Sequence, residues 1–61
     1  MKVYFNWQGP IGRETVDEFE KEEGQTFKAF RAYVREMIAE YQMAGMNVYQ
    51  SRRACRNWRE S

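Results

Sequence analysis

The chain has 61 residues, with ten Lys or Arg, nine Asp or Glu, no histidine and a net charge of +1. A chain of this length makes one small domain that buries only about 60% of its unfolded surface, so its core is marginal. Its single cysteine, Cys55, excludes an internal disulfide, and without histidine or a cysteine cluster neither a zinc site nor a histidine-based catalytic pair can be built.

Two means of stabilisation remain, self-association and an aromatic core. Four Phe, four Tyr and two Trp supply the second. The near-neutral balance conceals an asymmetry. Residues 14–23 hold six acids and one lysine, and residues 51–61 hold four arginines and one glutamate. The molecule is dipolar rather than basic, whereas strong non-specific nucleic-acid binding calls for a more basic balance. Residues 1–7 are too short for a secretory signal and run into polar residues and Gly-Pro. No apolar run approaches the roughly 20 residues of a membrane span, so no membrane partner is expected. A lone cysteine without an export signal fits a reducing cytoplasm.

In chain order, residues 2–7 (KVYFNW) set Val3, Phe5 and Trp7 in alternation with Lys2, Tyr4 and Asn6, the period of a half-buried strand. Residues 8–12 (QGPIG) read as a loop, because Gly-Pro and a second glycine interrupt regular structure. Residues 13–20 (RETVDEFE) admit two readings. Thr15 and Glu18 make a capping box, with Val16 and Phe19 three apart, as in a short helix. A second strand pairing with the first is favoured, since a lone first strand has few partners and its charge suits an exposed edge. Residues 20–25 then connect to the element on which the chain depends.

That element is the stretch 26–44. Phe27, Phe30, Val34, Met37, Ile38 and Tyr41, with Tyr33 and Ala44, follow the spacing of an amphipathic helix. They occupy an arc of roughly 140°, wider than a coiled-coil seam. Thr26 suits the N-cap, and Gly45 suits the left-handed position after the last turn. On the outer side Ala29, Ala32 and Ala39 form a smooth strip ending at Met43. Lys28, Arg31 and Arg35 flank it on one side, Glu36 and Glu40 on the other. Alanine on a solvated face needs no further explanation, but a strip rimmed by both charge signs also reads as a docking surface. Its charges do not favour self-pairing of the helix, so a homodimer is expected to use a sheet edge or aromatics instead.

Residues 46–50 (MNVYQ) read as a third strand through Val48 and Tyr49. Ser51 then caps a short helix or turn over 52–59. The resulting fold class is α+β, a small ββαβ domain with one long helix on a mostly antiparallel three-stranded sheet.

Three groups of residues could carry function. Glu14, Asp17, Glu18, Glu20, Glu22 and Glu23 could hold a cation or move protons, but nothing in the sequence fixes them in a cleft. A partner-binding acidic surface is the better functional reading. Arg52, Arg53, Arg56 and Arg59 with Trp58 could grip phosphate and stack a base, whereas a core anchor is the stronger reading of Trp58. A helix-turn-helix over 39–56 is disfavoured by the strand-like VYQ and the position of Gly45. Cys55 reads as a buried inert thiol rather than a nucleophile. GPIG lacks the Lys and Ser/Thr of a phosphate loop. No catalytic residue, metal ligand or cofactor site is expected.

The C-terminal half contains Glu40, Tyr41, Ala44 and Gly45 as EY-x-x-AG, an aromatic strand with Tyr49, then Ser51, Arg53, Cys55 and Trp58 as S-x-R-x-C-x-x-W. These motifs, together with RETVDEF after a strand and a glycine turn, resemble small bacteriophage-encoded accessory proteins without established activity. The resemblance implies origin and setting, a phage protein acting in the cytoplasm of a bacterial host. It also supports the strand reading of residues 13–19.

The expected function is therefore a non-enzymatic protein-binding module. It would be a homodimer that inhibits or modulates a bacterial host protein, with anti-phage defence as the natural target class. Contacts would come from the acidic run and from Lys28, Arg31, Ala32, Arg35, Glu36, Ala39 and Glu40 on the outer helix face. The alternative is a small nucleic-acid-binding regulator using Arg52, Arg53, Arg56, Trp58 and Arg59.

Overall fold

The computed structural model of the chain describes residues 1–56 and 58. Among them the elements are β1 (Lys2–Gly9), β2 (Gly12–Glu20), α1 (Phe27–Met43) and β3 (Tyr49–Ser51), and the sheet order is β2-β1-β3. Both pairings are antiparallel. The α+β arrangement read from the sequence is the one observed.

The hairpin is tighter than the five-residue loop the Gly-Pro signal suggested. Gln8 pairs with Arg13 and Gly9 with Gly12, leaving only Pro10 and Ile11 to turn the chain. Proline second and glycine fourth is the type I signature, and Gly12, at φ +133°, takes a conformation that side chains disfavour. Residues 13–20 are strand, not helix. Between Phe5 and Asn6 the register shifts so that Val16 is the extra residue of a bulge. Val16 and Asp17 together face the helix side, and Thr15 faces the back.

Helix α1 has the ends its sequence called for. Thr26 Oγ1 accepts from the Ala29 N–H at 3.1 Å. At the other end the Met46 N–H donates to Tyr41 O at 2.9 Å and the Gly45 N–H to Gln42 O at 3.0 Å, with Gly45 at φ +88°. This is the Schellman arrangement, closed by the packing of Met46 and Tyr41 against one core. It also shortens β3. Met46 and Val48 spend their N–H groups on Tyr41 O and Met46 O, so the strand expected over 46–50 forms only over Tyr49–Ser51.

The core is Val3, Phe5, Phe30, Val34 and Val48, with Trp7, Val16, Phe19, Met37, Ile38, Tyr41 and Met46 packed around it. Four rings form a chain through it. Phe5 meets Phe19 at 4.7 Å and Tyr41 edge-on at 5.7 Å, and Phe19 meets Tyr33 edge-on at 5.6 Å between ring centres. These tilted and T-shaped contacts are the favourable ones. The buried arc of α1 is narrower than its pattern, because Phe27, Tyr33 and Ala44 lie exposed at its margins. The Lys21 ammonium sits 5.0 Å from the Phe27 ring centre, so that ring carries a cation instead of entering the core.

The back of the sheet is also covered. Alternation assigned Tyr4 and Asn6 to a solvated face, yet both are buried, and so is Thr15. The segment after β3 crosses behind them. The Asn6 Nδ2 amide donates to Arg53 O at 3.1 Å, and the Cys55 N–H donates to Thr15 Oγ1 at 2.7 Å. Of the short helix or turn read after Ser51, the described residues show the turn. Residues 52–56 and 58 make bends and a turn, because buried polar side chains on the sheet need partners and the backbone of this segment supplies them. Ser51 caps differently from expectation, its Oγ accepting from the Arg53 N–H at 3.1 Å. Cys55 is half-buried, as is Trp58, whose backbone N–H donates to Cys55 O at 3.0 Å.

Candidate functional site: a cationic groove at the β3 edge

The acidic run does not form one surface. Antiparallel partners share a face, so Glu14 lies with Trp7 and Asp17 with Phe5 on the helix side, while Glu18 lies with Tyr4 and Glu20 with Lys2 on the back. Asp17 is engaged in the fold. Its Oδ2 accepts from the Tyr41 hydroxyl at 2.9 Å and its Oδ1 from the Glu18 N–H at 2.9 Å. Burial, and then the Asp17 hydrogen bond and charge, hold the Tyr41 phenol above its ordinary range. Lys2 lies 3.8 Å from Glu18 and 4.0 Å from Glu20, surface pairs that contribute about 0–1 kcal/mol each and dilute the negative field. Glu22 and Glu23 sit exposed in the connection to α1.

The cations converge instead. Arg31 and Arg35 of α1 line a depression of about 170 Å³ floored by Val3, Phe30 and Val34 and closed by Met1 and Gln50. Arg31 also lines an adjoining depression with Gln50, Ser51 and Arg52, and a third on the helix with Lys28, Ala32 and Arg35. The first two share Met1, Val3, Arg31 and Gln50 and make one groove beside β3, while the third lies on the helix and adjoins the first through Arg31 and Arg35. Two residue sets that are separate in the sequence, the outer helix cations and the C-terminal arginines, meet there through Arg52. Arg53 and Arg56 are exposed farther along the segment that crosses the back, and Arg59 lies outside the described residues. The Trp58 indole nitrogen is buried without a hydrogen-bond partner, so the ring is not presented as an open stacking platform. On the other flank of α1, Glu40 lines a shallow depression with Met37, Tyr41 and Ala44. Glu36 and Ala39 are exposed on the outer face.

The groove exists because β1 is longer than its partner. β3 pairs only from Asn6 to Tyr4, and after Ser51 the chain turns behind the sheet, leaving the N-terminal end of β1 without a β3 neighbour. The ladder fixes the backbone polarity there. Met1 O accepts from the Lys21 N–H at 3.0 Å, so odd residues of β1 bond toward β2 and even residues toward β3. Tyr4–Ser51 and Asn6–Tyr49 are then the bonded pairs, and Gln50 turns its N–H and C=O outward. Sequence reasoning missed Met1, Val3 and Gln50 as lining residues, since only the β1–β3 register places them.

The sheet and helix make a thin body. Its Cα radius of gyration is 12.0 Å and its extents are 39 × 27 × 15 Å, against a radius of roughly 10.5 Å for a compact chain of this length. Flatness of this kind leaves both sheet edges at the surface. Among the described residues no group of three or more Cys, Asp or Glu side chains is placed to hold a metal ion, and no helix is long and apolar enough to cross a membrane. No protein-family model, curated protein or solved structure matches the chain. Function is therefore read from its own surfaces.

Proposed function

We propose that the protein is a small non-enzymatic protein-binding module, a phage accessory protein that modulates a bacterial protein in the host cytoplasm. The observation that carries the binding reading is the meeting of Arg31, Arg35 and Arg52 around an apolar floor at an open strand edge. A groove with a hydrophobic centre and a charged rim has the composition of a protein-recognition surface. The phage setting rests on the resemblance of the C-terminal half, with host defence proteins as the target class. A homodimer fits this reading only if it avoids β3-to-β3 pairing, which would set Arg31, Arg35 and Arg52 against their own copies.

The test is capture from bacterial lysate by the immobilised chain, compared with Arg31→Glu/Arg35→Glu, with light scattering on the free protein. A partner retained by the native chain and lost by the double variant supports the reading. Steep, salt-dependent oligonucleotide binding that needs Arg53 and Arg56, with no protein captured, replaces it with the nucleic-acid alternative.

A further inference from the structure

We infer that the β3 edge takes an extended acidic segment of a partner protein, which adds to the sheet as a fourth strand beside Gln50. The inference rests on the protein-binding reading above and specifies its mode. Four features coincide in the groove. Gln50 turns a backbone N–H and C=O outward from the last strand, the arrangement that accepts strand addition. β3 is only three residues long against eight in β1, so an incoming strand passes from Gln50 alongside the gap beside Val3. The gap has an apolar floor of Val3, Phe30 and Val34, all buried, suited to one aliphatic or aromatic side chain. Its rim is cationic, with Arg31 and Arg35 on the helix wall and Arg52 at the far end.

Strand periodicity turns this into a pattern. Alternate side chains of an added strand point to the same face. Side chains on the helix side meet the apolar floor and Arg31 or Arg35, so acidic and apolar residues must take turns at every second position of the added strand, the positions that share that face. Arg31, Arg35 and Arg52, which form no salt bridge among the described residues, are poorly placed against a second β3. Natural sheets commonly protect an open edge with charge. A charged edge that also borders an apolar hollow discourages self-pairing while admitting an oppositely charged strand.

The probe is a panel of eight-residue peptides with Glu and an apolar residue (Val, Ile, Leu or Phe) taking turns at every second position and Thr between them, titrated into the ¹⁵N-labelled full chain. Control peptides carry N-methyl groups at alternate residues, or Lys in place of Glu. At least one acidic peptide is expected to bind with a dissociation constant of about 1 mM or tighter, shifting the amides of Gln50, Arg31 and Arg35 and slowing hydrogen exchange at Gln50. N-methylation is expected to weaken binding by about tenfold or more, because it removes backbone donors. Arg35→Glu or Arg52→Glu, each checked for native circular dichroism, weakens it similarly, and Lys-for-Glu peptides do not bind.

Several results would overturn the inference. One is the absence of shifts at Gln50 across the panel. Others are equal binding of the N-methylated peptides, tighter occupation of the same residues by a single-stranded oligonucleotide, or a salt-sensitive self-association that blocks the groove. The two proposals fail separately. If lysate capture needs Arg31 and Arg35 while the peptide panel leaves Gln50 unmoved, the module stands and strand addition falls. If the peptides bind as described but nothing is captured, strand addition at this edge stands and the bacterial source of the partner falls.

Discussion

The Thr15 hydroxyl donates to Asn6 Oδ1 at 2.6 Å while its oxygen accepts the Cys55 N–H at 2.7 Å, so one buried side chain joins β2, β1 and the C-terminal segment. Thr15→Val keeps the shape and leaves a buried acceptor and donor unpaired. The expected cost is about 2–4 kcal/mol, which lowers the melting temperature by at least about 10 °C in a domain of this size. Thr15→Ser retains both bonds and should lose far less. Thermal denaturation of the two variants decides the matter, and equal losses would show that the methyl group matters as much as the hydroxyl.

Phe5 is completely buried at the middle of the aromatic chain that runs from Tyr41 through Phe19 to Tyr33. Truncating such a residue to alanine costs about 3–5 kcal/mol. That is comparable to the whole stability of a 61-residue domain, about 3–9 kcal/mol at typical values per residue. Phe5→Ala should be largely unfolded at 37 °C, and Phe5→Leu folded but weakened. Circular dichroism and amide dispersion in proton–nitrogen spectra distinguish the two states.

Tyr41 gives the fold an alkaline limit. Its phenol is raised by burial and by Asp17, so the folded state favours the protonated form more than the unfolded chain does. The stabilisation is complete below the ordinary tyrosine value, near pH 10, and is lost as pH rises through the raised folded value. Denaturant titrations from pH 8 to 11.5 should therefore show a constant gap between native protein and Tyr41→Phe up to about pH 10, closing above it. A gap that stays constant to the top of the range would mean that the bond to Asp17 does not persist in solution.

Gly9 makes room for Trp7. A Cβ at Gly9 would lie 2.8 Å from Trp7 Cζ3, closer than such atoms approach, and its φ is not in the left-handed region. The cost of Gly9→Ala is therefore steric, of the order of 1–3 kcal/mol, and it is relieved only if the indole moves. The expected signature is altered near-ultraviolet circular dichroism and tryptophan emission together with lower stability. Lower stability with unchanged spectra would place the strain in the hairpin backbone instead.

Much of the architecture was legible. The period of Phe30, Val34, Met37 and Tyr41 marks α1, and Thr26 and Gly45 mark its ends, because helix periodicity and caps are local properties. The alternation of Val3, Phe5 and Trp7 marks β1 for the same reason. Residues 13–20 were harder, since their helix and strand signals differ by a few tenths of a kcal/mol per residue and pairing with β1 decides between them. The segment after Ser51 was legible only as a short helix or turn. Local spacing carries no information about Asn6 and Thr15, whose buried polar groups draw the backbone of Arg53 and Cys55 across the sheet.

The candidate site divides in the same way. Local pattern already established that Lys28, Arg31 and Arg35 share one flank of a helix, because 3.6 residues per turn is fixed by the backbone. It also determined that the acids cluster along the chain. Long-range pairing splits those acids between the two faces of β2 and brings Arg52 to Arg31 beside Val3, next to the hollow that Arg35 lines with Phe30 and Val34. The physical reason is register. A three-residue β3 paired to the middle of an eight-residue β1 leaves a gap, and which residues border it depends on long-range pairing that no local pattern encodes.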